Sequence, residues 1–198
     1  MIQHIFFTLI LLSLSSCSVF GIQDEEGPDY EVLKKSGPFE IRRYAPHIIA
    51  KVSVEGNYDE SSGKAFRILA GYIFGDNSVE KEISMTSPVK VKENSQKIAM
   101  TSPVKTKEDE QNLTMAFSMP AKYELNDLPR PNDKRITFEK ISSKLIACHE
   151  FSWLSSSKKN KQKAEELREW VEKNKKYRAR PGYSYAGYNP PWTLPPFR

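Results

Sequence analysis

The chain has 198 residues, 38% hydrophobic and 28% charged, with a formal net charge of +5. This composition excludes a disordered or fibrous chain, and the length suits one domain with accessory segments, large enough to need no disulfide framework. The basic excess lies mostly in the second half, where Lys158, Lys159, Lys161 and Lys163 are answered by Glu165, Glu166 and Glu169; that is a solvated helix face, and no nucleic-acid partner is expected.

Residues 5–14 form an apolar run of signal-peptide length, too short to span a bilayer. Leu14-Ser15-Ser16-Cys17 follows and resembles a bacterial lipobox, in which the cysteine is acylated and becomes the first mature residue. The segment before it, residues 1–4, lacks the usual Lys or Arg. The resemblance implies residues 1–16 as signal, lipidation at Cys17, residues 17–29 as a tether and a membrane-anchored protein of the cell envelope. Only Cys148 then remains, and an internal disulfide is impossible.

The domain is expected over residues 30–198. Residues 30–35 and 39–44 read as strands parted by the Ser36-Gly37-Pro38 turn. In residues 47–55, Ile48, Ala50, Val52 and Val54 alternate with Ile49, Lys51 and Ser53, the period of a half-buried strand. A helix is predicted from an N-cap at Asp59 to Phe74, stopped by Gly75-Asp76-Asn77. Strands are predicted around Ile83 and Ile98, and over 113–119 with Leu113, Met115, Phe117 and Met119 on one face. After the Pro-rich loop at 128–133 the order recurs: strands at 136–139 and 145–151, a helix over 156–174 with the apolar stripe Ala164, Leu167, Trp170 and Val171, and a last strand at 183–188.

A shift of 97 positions lays Ile41 on Phe138, Ile48 on Leu145, Ala50 on Ala147 and Val54 on Phe151. The expectation is an α+β fold: a duplicated βαββ-type unit whose strands form a distorted antiparallel β-barrel flanked by two α-helices. A shorter tandem copy, residues 85–90 and 100–105, reads Met-Thr-Ser-Pro-Val-Lys twice, as a duplicated hairpin whose Ser-Pro steps mark an edge or a bulge.

Ordered segments carry a family likeness. They are residues 39–44, 65–75 and 97–104, residues 115–120 with Tyr123, Leu128-Pro129 with Pro131, and residues 188–193 with Pro196-Phe197-Arg198. On these residues the chain resembles the SOUL haem-binding family. The resemblance implies a duplicated α+β barrel and non-covalent binding of haem b or another tetrapyrrole in a hydrophobic cleft beside the first helix. It leaves iron ligation open, since some members use a histidine and others none.

On a helical wheel the apolar residues of the first helix span about 240°, far beyond the stripe a surface helix needs. Phe66, Ala70 and Phe74 would border a groove, and Gly71 would let a flat ring approach the backbone. Lys64 and Arg67 stand at the rim, where cations meet propionates. Trp192, in the Pro-rich terminal segment, could wall the ligand or cover a sheet edge. His47 is the candidate axial ligand. His149 reads as a core histidine, and neither has the partners of a zinc site. The sequence carries no nucleophile elbow, P-loop or dinucleotide fingerprint. A monomeric haem or porphyrin binder is expected, for carriage, buffering or sensing; a tetrapyrrole-modifying enzyme with His47 as proton donor, or an envelope interaction protein with a vestigial cleft, are the alternatives.

Overall fold

The first three strands match the predicted spans closely: β1 (Tyr30–Ser36), β2 (Phe39–Tyr44) and β3 (His47–Glu55), the last with the predicted alternation. They belong to a computed structural model that describes residues 26–79, 95–109 and 111–188. Helix α1 (Tyr58–Ile73) comes next. Its N-cap is Asn57 rather than Asp59: the Asn57 side chain accepts from the Asp59 and Glu60 amides, and Glu60 closes the capping box. Asp59 instead supplies negative charge in the first turn, where the helix dipole favours it. Gly75, at φ +117°, ends the helix as the Gly-Asp-Asn sequence foretold.

The remaining elements are β4 (Asn77–Ser78), β5 (Val104–Glu108), β6 (Asn112–Ser118), a 3₁₀ turn (Leu125–Asp127), β7 (Arg130–Pro131), β8 (Thr137–Ile141), β9 (Lys144–His149), α2 (Ser157–Glu172) and β10 (Tyr185–Gly187). The strand predicted around Ile98 does not form. Residues 95–103 run without regular structure, and Ile98 is instead pinned by its amide to Ile73 O and buried against α1. The strand at Ile83 and the first Met-Thr-Ser-Pro-Val-Lys copy lie outside the described residues.

Ladders place β1-β2-β9 in one sheet and β10-β5-β6-β3-β8 in a second, with β4 and β7 paired separately. Among the described residues all pairings are antiparallel. Two helices on antiparallel sheets make the fold α+β. Among the described residues the sheets keep separate ladders and are not closed into a barrel.

The core sits between α1 and one face of the larger sheet. Ala50, Val52 and Val54 of β3 and Leu113, Met115 and Phe117 of β6 meet Ala65, Leu69, Tyr72 and Ile73. Each large side chain so buried contributes about 1.5–3 kcal/mol, and Leu69→Ala would cost about 2–5 kcal/mol by leaving a cavity. Helix α2 covers the outer face of the smaller sheet, where Trp170 stacks on Phe39 at 5.2 Å and Val171 is buried. Residues 26–29 are not a free tether. Ser102 N–H donates to Glu26 O, Ala121 N–H to the Glu26 carboxylate and Ala45 N–H to Asp29 O.

Candidate functional site

The outer strip of α1 gathers Arg67, Gly71 and Phe74, with Lys64 on its flank, because residues three and four apart share a helix face. Phe74 is 59% exposed, and Lys64 and Arg67 are exposed as well. A side chain on Gly71 would meet nothing closer than Asp76, at 3.8 Å, so the backbone is open there. Phe66 and Ala70 turn toward the core side. Phe66 is half-buried, its ring 5.5 Å from Phe117, and Ala70 is 8% exposed. The strip is therefore a ledge with one large exposed apolar side chain, Phe74, beside an open glycine, with two cations toward the N-terminal end of the helix and the Asp76 carboxylate at the other. Trp192 and Cys17 lie outside the described residues.

His47 is not part of this ledge. It sits on the odd-numbered face of β3, whereas α1 packs on Ala50, Val52 and Val54 of the even face. The ring is half-buried, with Nδ1 2.9 Å from Ala45 O and Nε2 3.2 Å from Lys105 Nζ. Nδ1–H donating to the carbonyl leaves the Nε2 lone pair to accept from the ammonium. Burial pushes the imidazole pKa below its ordinary value, which keeps the ring neutral. His149 is a core histidine: its side chain is 7% exposed, its ring lies 4.4 Å from Phe39 and its Nδ1 is 3.3 Å from Lys163 O. Among the described residues no three His, Cys, Asp or Glu side chains cluster as a metal site.

A polar layer between the two sheets went unread in the sequence. Glu40, Arg42 and Tyr44 alternate along β2, so all three point toward the larger sheet. Glu40 accepts from Arg42 Nε at 2.7 Å and from Lys35 Nζ at 2.6 Å. Arg42 Nη1 reaches the hydroxyls of Tyr44 and Tyr188, and its guanidinium lies 4.5 Å over the Tyr30 ring. Lys105 crosses from β5, 5.2 Å over Tyr44. Among the described residues it has no ion-pair partner, and burial beside Lys144 drops its pKa to about 8. Desolvation likewise raises the Tyr44 and Cys148 pKa values, so Cys148 is an inert thiol. A hollow of about 320 Å³ opens here, lined by Tyr30, Tyr44, Ser102, Pro103 and Tyr188 with residues 27–29. Charged residues alternating in a strand covered on both faces were the available signal. In the sequence, residues 39–44 also carry part of the family likeness.

Among the described residues no helix is long and apolar enough to cross a membrane. A search of curated proteins returns no match. The sequence profile that does match covers residues 25–198, beginning one residue before the described chain and taking in the docked segment at 26–29, both sheets and both helices. The two-helix α+β architecture and this match across nearly the whole chain lead to one conclusion: the protein belongs to the SOUL heme-binding protein family.

Proposed function

We propose that the chain binds haem b or a related tetrapyrrole non-covalently on the ledge of α1, for carriage, buffering or sensing, and does not transform it. The observation that carries this reading is Phe74. A large apolar side chain stands 59% exposed on the same helix strip as an open glycine and two cations. Lys64 lies ten residues before Phe74, about 15 Å along the axis at the usual rise. A flat ring over Gly71 and Phe74 would direct its propionates to Lys64 and Arg67, away from Asp76. Haem membership of the family supports the ligand class. With both described histidines engaged elsewhere, contact with the ring and propionates would supply the binding energy rather than an Nε2–iron bond. The same engagement supports binding over catalysis, since His47 has no free path to a ligand on α1. The lipobox-like Leu14-Ser15-Ser16-Cys17 supports an exported protein held at the envelope through acylated Cys17.

Hemin titration tests this. The expected result is a saturable Soret shift near one equivalent. Phe74→Ser should weaken binding by about tenfold, equal to roughly 1.4 kcal/mol, with an unchanged melting temperature. His47→Ala should leave the Soret position unchanged. A parent that shows no saturable shift, or a Phe74→Ser variant that binds as tightly as the parent, would overturn the proposal.

A further inference from the structure

We propose that the turn carrying Trp153 and Leu154, with Lys158 and Lys161 of α2, is a docking tip for an anionic lipid surface. Among the described residues Trp153 is the only non-glycine with positive φ, at 83°. A bulky side chain rarely adopts that conformation, and such strain persists only where the surroundings enforce it. Lys159 is the brace. Its Nζ donates to Ser152 O at 2.8 Å and to Leu154 O at 3.2 Å, the carbonyls either side of Trp153, and lies 5.3 Å over the Phe151 ring. With the backbone tied down, the two apolar side chains stand out, Trp153 56% and Leu154 47% exposed.

The charge around the tip selects the partner. The first turn of α2 contains no acidic residue, whereas α1 opens with Asp59 and Glu60. Lysines near a helix N-terminus add to the positive end of the dipole instead of offsetting it. Asp59 and Glu108 close the inner side of that turn through Ser157. Lys158 and Lys161, three residues apart and both exposed, hold the outer side. Indole and leucine seated at headgroup depth, with lysines over anionic phosphates, form the combination that an acidic bilayer surface binds. This surface does not depend on the haem ledge.

The full chain is mixed with vesicles of phosphatidylcholine alone or with added phosphatidylglycerol, then sedimented. Residues 1–25 are common to parent and variants, so their contribution cancels. Trp153→Gly/Leu154→Ser, by removing the apolar anchor, and Lys158→Glu/Lys161→Glu, by reversing the charge that meets the phosphates, should each lower partition onto the phosphatidylglycerol vesicles by at least about tenfold. Trp153→Gly alone should weaken partition while raising the melting temperature, because glycine relieves the positive φ. Parent-level partition by either double variant, or equal partition of the parent onto both vesicle types, overturns the proposal; so does a Trp153→Gly chain that is less stable than the parent.

Discussion

Glu40 is 5% exposed and the single carboxylate to which both Lys35 and Arg42 are tied. Breaking a buried pair leaves the other charge uncompensated, so Glu40→Gln should destabilise the chain by about 3 kcal/mol. The hydrogen bond from Lys35, with Arg42 adding to it, holds the Glu40 pKa below its ordinary value. A depressed carboxylate pKa contributes stability that is complete above the unfolded value and lost as pH falls through the folded one. The gap between parent and Glu40→Gln should therefore be full at pH 7 and close below about pH 4, as urea denaturation at several pH values would show. Gly27 poses a steric case. A Cβ there would lie 2.3 Å from Ser102 O, a backbone atom. Gly27→Ala should detach residues 26–29 and open the neighbouring hollow, read as faster hydrogen exchange at Ser102, whose amide is bonded to Glu26 O. The Gly27 contact was not legible in sequence, because Ser102 is brought from far along the chain; the Glu40 partners are near in sequence, and what sequence does not contain is the burial of that cluster.

At the scale of elements, periodicity carried most of the reading. Strand β3 and the apolar face of β6 emerged because their inward residues alternate without interruption. The segment around Ile98 forms no ladder for a physical reason: one backbone bond to the end of α1 buries Ile98, and Met100 packs against the same core. Helix α1 was legible in extent but not in its start, since Asn57 and Asp59 both suit a cap and only the Glu60 contact distinguishes them. On the ledge, Phe74, Arg67, Lys64 and Gly71 face outward as the wheel implied, while Ala70 and Phe66 are drawn toward the sheet by packing that a wheel does not contain. Strand β5 brings Lys105 into the layer between the sheets without a carboxylate partner among the described residues, and its pKa of about 8 against an ordinary 10.5 expresses the cost. The unfolded chain binds more protons between those values, so stability should rise with pH across that window. Lys105→Met should stabilise the chain at pH 7 by roughly 1–3 kcal/mol, allowing for partial solvent screening, and the advantage should vanish near pH 10.5. Guanidinium melts at pH 7 and at pH 10 would show whether it does.

For the whole molecule, the offset read from weak sequence similarity also relates the register of two ladders. Strand β2 pairs with β9 through Ile41 and Ala147, and β3 pairs with β8 through Ala50 and Phe138. The 97-position shift that lays Ile41 on Phe138 and Ala50 on Ala147 turns the first pair into the second, so these two ladders share one register and each joins a strand of the first half to a strand of the second. Sequence could suggest the offset but not the pairing between halves, because register across the halves is set by three-dimensional closure. That pairing has a strict consequence. Among the described residues every strand after Leu128 pairs with a strand before it: β7 with β4, β8 with β3, β9 with β2 and β10 with β5. A fragment from Leu128 onward holds α2 but no native ladder of its own, and an isolated helix of that length is marginal in water. The preceding fragment keeps β1 on β2 and the β3-β6-β5 ladders with α1. The second fragment alone should show no near-ultraviolet dichroism and no cooperative melt. The first alone should melt early. An equimolar mixture should regain the Phe39–Trp170 stacking signal and a single transition. A cooperative melt from the second fragment by itself would mean that its strands find partners among themselves and that the ladders between the halves do not build the fold.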